Sequence, residues 1–281
     1  MQDISLVDET FDINFSENYH ISMQSDLHGF SYCILDTRVN KYIILKHFSF
    51  ENLSVEIALE KLEDFVNAES NITSTCKSAT FSICDSSSIL VPRLFFDQSN
   101  LKTFFEIHHD LKELDELHFA ELKEPDAFMV FAIPSRIAGI IKRKIPHIKF
   151  LHGNIPFILH NLKNISESEQ EVFVNFTLSY LNVLVIKNKK IVLFNSYPYH
   201  EATDVVYFIL NILEQHGFDA NEIRVSVTGT KQKNSKTIHQ LKNYIKNIKF
   251  EKPSIDHTYS YTFNDIDLHI YQNLINTHDC V

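Results

Sequence analysis

The alternation of apolar and polar positions predicts one series of elements twice, about half a chain apart. In the first copy, strands are expected over residues 21–26, 30–36 and 42–48, a helix over 54–67 and a strand over 79–84. In the second, strands are expected over 172–178, 182–187 and 191–197, a helix over 203–216 and a strand over 223–227. Equivalent points keep a near-constant offset: Tyr42 and Ile191 are 149 positions apart, Phe81 and Val225 are 144. Such a duplication predicts two similar lobes.

Each helix carries one apolar face. Val55, Ala58, Leu59, Leu62, Phe65 and Val66 recur at helical spacing, with Asn52 or Ser54 placed to cap. Val205, Val206, Phe208, Ile209, Ile212 and Leu213 do the same in the second copy, with Thr203 or Asp204 as cap and Gly217 as terminator. The hairpin turns read as Asp26-Leu27-His28-Gly29 and Lys187-Asn188-Lys189-Lys190. Between the copies, a buried strand over 127–133, a helix over 135–144, a strand over 148–151 and a helical turn over 155–162 suggest a mixed α/β sheet. The acidic stretch 105–122 reads as a solvated helix. Further amphipathic helices are expected over 235–247 and 263–276. The polar stretch 161–171 marks the boundary between an N-terminal lobe, residues 1–165, and a C-terminal lobe, residues 166–281.

Composition adds limits. The 281 residues are 44% hydrophobic and include 23 Phe, ample for two cores. The net charge of −10 argues against a nucleic-acid binder, which needs a basic surface to displace counterions. No apolar run approaches the roughly 18 residues of a membrane span. The acidic start (Asp3, Asp8, Glu9, Asp12) lacks the order of a signal peptide. Of the four cysteines, Cys33 and Cys84 sit within apolar strands, and no pair has zinc-ligand spacing. The expectation is a soluble protein of a reducing cytoplasm.

Two lobes that each open with an antiparallel three-stranded meander, then helix, strand and helix, resemble the duplicated actin-like fold of sugar kinases, heat-shock proteins and actin. Leu193-Phe194-Asn195-Ser196-Tyr197, followed by Asp204-Val205-Val206-Tyr207-Phe208-Ile209-Leu210, resembles a bacterial family of uncharacterised proteins with that fold. Val227-Thr228-Gly229 and Leu241-Lys242-Asn243-Tyr244-Ile245 fit its later strand and helix. The resemblance implies ribonuclease H-like lobes with mixed five-stranded sheets flanked by helices. It also implies ATP and Mg²⁺ in a cleft between lobes, held by a tight acid-and-glycine turn in each lobe and a glycine turn at the adenosine.

Against that pattern the chain is poor. The first turn has Asp26 and Gly29 but one residue too many. The region Ser179-Tyr180-Leu181-Asn182 has neither acid nor glycine, and Thr228-Gly229-Thr230 alone stands for the adenosine turn. The five glycines make no phosphate-cradling cluster. An ordinary hairpin turn explains Asp26 and Gly29 as well, and a strand end explains Thr228, Gly229 and Thr230. His108, His109, Asp110 and His118 are the densest metal-like group, but neighbouring helical positions point about 100° apart. His147, His152 and His160 are too scattered for a tetrahedral site. Cys84-Asp85-Ser86-Ser87-Ser88 follows a strand and reads as the cap of a next helix.

The cofactor-binding candidates are thus Asp26, Gly29, Thr228, Gly229 and Thr230, with no catalytic residue and no metal site assigned. No cofactor is assigned from the residues; ATP with Mg²⁺ is what the resemblance implies. The favoured reading is a non-catalytic or weakly nucleotide-binding scaffold with a protein partner of unknown identity, no nucleic acid and no membrane insertion. The alternatives are a divergent ATP-dependent kinase or ATPase, and a dimerising structural protein without a ligand.

Overall fold

The computed structural model describes residues 3–26, 28–51, 53–68, 75–231, 234–252 and 256–280. Asn52, Leu27, and parts of the loops 67–77 and 231–236 lie outside them. By contacts the chain divides into two units. One comprises Met1–Pro156, Ser254–Ile266 and Leu274–Val281; the other comprises Phe157–Pro253 and Asp267–Asn273.

In the first unit a short strand β1 (Ile4–Val7) precedes the meander β2 (Tyr19–Ser25), β3 (Gly29–Asp36) and β4 (Lys41–Ser49). Helix α1 (Val55–Ala68) follows, then β5 (Ser78–Ile83). Ser54 begins α1: its hydroxyl accepts from the Ile57 N–H at 3.4 Å. The helix buries Leu62 and Val66 against the sheet, with Tyr19, Ile21, Met23, Phe30 and Phe81 in the same core.

An excursion then leaves the repeat. β6 (Ser88–Pro92), α2 (Leu101–Glu106), β7 (Asp115–Leu122) and β8 (Ala127–Pro134) form a separate antiparallel sheet in the order β6-β8-β7. Its small core holds Val91, Phe105, Val130 and Ala132. Two expectations are corrected here. The stretch 105–122 is not a helix, because Leu117 and Phe119 alternate with polar residues at the period of a strand and pair with β8. The strand over 127–133 belongs to this sheet and not to a βαβ unit of the main one. Helix α3 (Ser135–Lys144) and β9 (Lys149–His152) instead complete the first copy. The basic end of α3 is ion-paired, Lys142 to Glu116 at 3.0 Å and Arg143 to Glu63 at 2.6 Å.

Helix α4 (Asn154–Asn164) leads into the second copy: β10 (Gln170–Phe176), β11 (Tyr180–Lys187), β12 (Lys190–Pro198), α5 (Ala202–Gln215), β13 (Arg224–Gly229), α6 (Lys236–Lys242) and β14 (Asn247–Phe250). Its sheet runs β12-β11-β10-β13-β14, and the first sheet contains the matching path β4-β3-β2-β5-β9. In both, the meander is antiparallel and the last two strands run parallel to its first. Asn188 and Lys189, with φ of 52° and 57°, make the two-residue turn between β11 and β12.

The N-cap of α5 is Glu201, not Thr203 or Asp204. Asp204 reaches back to accept from the N–H groups of His200 and Glu201, both at 2.9 Å, and completes a capping box. Gly217, at φ 68°, ends the segment as expected. Helix α6 stops at Lys242, short of the expected 247, and Tyr244 beyond its end is exposed.

The chain then returns to the first sheet. β15 (Thr258–Tyr259) pairs parallel with the start of β4, and β1 pairs antiparallel with its later half. These additions make the first sheet seven-stranded where five strands are expected. The region 263–276 is not one amphipathic helix. It consists of 3-10 turns and the short α7 (Gln272–Asn276), because its buried residues run consecutively from Leu274 to Thr277 and leave no polar face.

Candidate functional site

In open α/β sheets, ligands gather beyond the carboxyl ends of the parallel strands. In the first unit those ends are Ser25, Ile83 and His152, the last residues of β2, β5 and β9. Asp26, Cys84 and Asp85, and Gly153 and Asn154 follow them directly.

The structure brings Asp26 and Gly29 together in one turn. Asp26 Oδ1 accepts from the N–H of His28 at 2.7 Å and of Gly29 at 2.8 Å, while the Asp26 N–H donates to the Gly29 carbonyl at 3.0 Å. Burial holds the Asp26 carboxyl above its ordinary range despite these donors. A Cβ at Gly29 would lie 2.7 Å from the Phe48 carbonyl and 2.8 Å from the His47 ring. Close packing therefore demands this glycine whether or not a ligand is present.

Beside the turn stands a pair that the sequence reading missed. His152, fully buried, faces Asp85 with Nε2 3.3 Å from Oδ1. Its Nδ1 accepts from the Asn154 N–H at 3.2 Å, so Nε2 carries the proton and donates to the carboxylate. Burial raises the Asp85 carboxyl, but His152, the Ser87 N–H and His109 outweigh it and its pKa is lowered. No helix follows, so Asp85 does not cap one; it shapes the turn into β6 through the Ser87 N–H at 2.7 Å. The Cys84 sulfur fills the space where a Cβ of Gly153 would sit, at 2.3 Å. Burial, with Asp26 and Asp85 close by, pushes that thiol well above its ordinary pKa, which opposes nucleophilic use. The signal in the sequence was an acid just past one strand and a histidine at the end of another, 67 residues apart.

The second copy places different chemistry at the same point. The turn from β10 to β11 spans Thr177, Leu178 and Ser179. Thr177 Oγ1 accepts from the N–H of Tyr180 at 3.1 Å and of Ser179 at 3.4 Å. Thr228 and Gly229 end β13, and Thr230 follows them. Thr228 donates to Asn175 Oδ1 at 3.2 Å, and the Thr230 N–H donates to the Phe176 carbonyl at 2.9 Å. Gly229 has φ 86°, and a Cβ there would meet the Phe176 carbonyl oxygen at 2.0 Å. Lys231 lies over the Tyr199 ring, 5.1 Å from its centroid, and burial lowers its pKa.

Among the described residues no group of three or more His, Cys, Asp or Glu is placed to hold a metal ion. His108 and His109 lie beyond the end of α2; His109 Nε2 donates to the Ser88 carbonyl at 3.2 Å. The residues present do not fit the ATP–Mg²⁺ pattern. One acid stands at the first turn and none at the second, and the N–H groups of His28, Gly29, Ser179 and Tyr180 are taken by the turns' own side-chain oxygens.

A duplicated meander–helix–strand–helix–strand with this strand order defines an actin-like ATPase fold. A crystal structure of a Bacteroides thetaiotaomicron protein with actin-like ATPase fold and unknown function is similar, with TM-score 0.76 and 19% identity over 86% of this chain and 94% of that one. The type IV pilus biogenesis complex PilM-PilN gives TM-score 0.60 at 8% identity, covering 93% and 98% of the chains. The ethanolamine utilization protein EutJ from Carboxydothermus hydrogenoformans gives 0.52 at 7%, covering 96% and 91%. The model of the family described as "Protein of unknown function (DUF3822)" matches residues 8–248, and the chain belongs to that family. No curated protein matches it. No described helix is long and apolar enough to cross a membrane.

Proposed function

We propose that the chain is a non-catalytic or weakly nucleotide-binding interaction module of the cytoplasm, in which the actin-like fold serves as a scaffold for a protein partner. One observation carries this reading. In both copies the turn that would offer N–H groups to a phosphate offers them to its own side chain, Asp26 Oδ1 in one and Thr177 Oγ1 in the other. A phosphate would have to displace hydrogen bonds already made, so little binding energy remains. The complex of PilM with PilN, similar in fold, agrees with a role in assembly. Four cysteines without a disulfide agree with a reducing compartment.

A second reading is a divergent ATP-dependent kinase or ATPase. It is favoured by Asp26 and Asp85, two acids at adjacent strand ends. Calorimetry with Mg-ATP and Mg-ADP separates the two. The scaffold reading expects no heat, or weak binding unchanged in Asp26→Ala. Tight binding or turnover lost in Asp26→Ala would reverse the order.

A further inference from the structure

We propose that the outer edge of β12 docks a second copy of this chain, edge to edge and antiparallel. The duplication supplies an internal comparison. The equivalent strand of the first unit, β4, has its outer edge covered, by β1 from Ile44 to His47 and by β15 at Lys41 and Tyr42. Among the described residues, no strand pairs with the outer edge of β12. One sequence pattern folded twice has thus been covered once.

The open edge is built for pairing over its centre and blunted at its end. Ser196 donates its N–H to the side chain of its neighbour Asn195, at 2.9 Å, which places Ser196 in the outward phase of the strand. Pro198, two residues on, shares that phase and has no N–H to offer. Phe194, two residues back, presents both N–H and C=O outward. Ile191, Val192, Leu193 and Phe194 are of strand-forming types, and Val192 is 44% exposed. An uncovered run of this kind invites another strand.

Charge selects the occupant. Lys187, Lys189 and Lys190 stand at the start of the strand, and Glu201 and Asp204 lie just beyond its end. Antiparallel self-pairing about the strand centre sets the basic start of each copy beside the acidic end of the other. A two-fold axis makes that match twice. This local match offsets the repulsion between two chains that each carry a net charge of −10. The proposal does not depend on the nucleotide question.

Sedimentation velocity on the full chain across micromolar concentrations tests it. A reversible dimer is expected. Phe194→Lys sets like charges opposite each other at the axis, and the dimer dissociation constant is expected to rise at least tenfold with the far-ultraviolet spectrum unchanged. Lys187→Glu with Lys190→Glu, both exposed, leaves the centre of the strand intact and is expected to weaken the dimer as well. If Phe194→Lys does not fold, this second variant decides. A wild-type chain that stays monomeric throughout, or a dimer of unchanged affinity in the folded variants, overturns the proposal.

Discussion

Acidification should loosen the first sheet through His20. The ring is fully buried, with Nδ1 2.8 Å from Ser78 Oγ and Nε2 3.1 Å from Ser22 Oγ. The His278 ring lies 4.5 Å away, centroid to centroid. Burial first, then His278 and Lys77, lower the His20 pKa from 6.5 to about 3. A histidine depressed on folding takes up its proton more readily when unfolded. Its neutral form therefore supports the fold above pH 6.5, and that support fades as pH falls toward 3. A tenfold change in proton affinity corresponds to about 1.4 kcal/mol, so the whole drop is on the order of 4–5 kcal/mol. Between pH 7 and pH 5 the loss is about 2 kcal/mol. Urea unfolding at pH 7, 6 and 5 measures it in the wild type and in His20→Gln. His47, His118 and His278 are also depressed by burial and contribute to the slope in both proteins, so the difference between the slopes isolates His20. The variant is expected to lose about 2 kcal/mol less than the wild type over that interval. Equal slopes would refute the reasoning.

Three changes probe the rest of the fold. Gly229→Ala meets both a left-handed backbone and the Phe176 carbonyl, so a loss of about 2–4 kcal/mol is expected in chemical denaturation. Leu62→Ala empties a site that is 1% exposed, and thermal unfolding should report a loss of about 2–5 kcal/mol. Glu201→Ala removes half of the capping box of α5 and is expected to cost about 1 kcal/mol, visible as faster amide exchange in its first turn.

Much of the architecture was legible in the chain because periodicity is local. The apolar runs of β2, β3 and β4, buried almost throughout β2 and β3, and the apolar stripe of α1 appear in the sequence as they do in space, and so do their counterparts in the second copy. A strand and a helix announce themselves within ten residues. The expectation failed where a segment's fate was decided by distant partners. Residues 105–122 carry enough acid to look like a solvated helix, yet β8 pairs with β7 over its whole length. The tail loses any helical period because it is buried along several consecutive residues.

The candidate site divides the same way. The sequence alone determined the duplication, the fold it resembles, and the presence of an acid and a glycine at one turn and neither at the other. Only the tertiary structure decided what those residues do. Asp26 closes its own turn, Gly29 and Gly229 admit neighbouring backbone, and Asp85 meets His152 from 67 positions away. The reason is physical. Periodicity is fixed by the geometry of a few consecutive peptide units, whereas a hydrogen-bond partner or a close approach depends on which distant strands the sheet brings side by side.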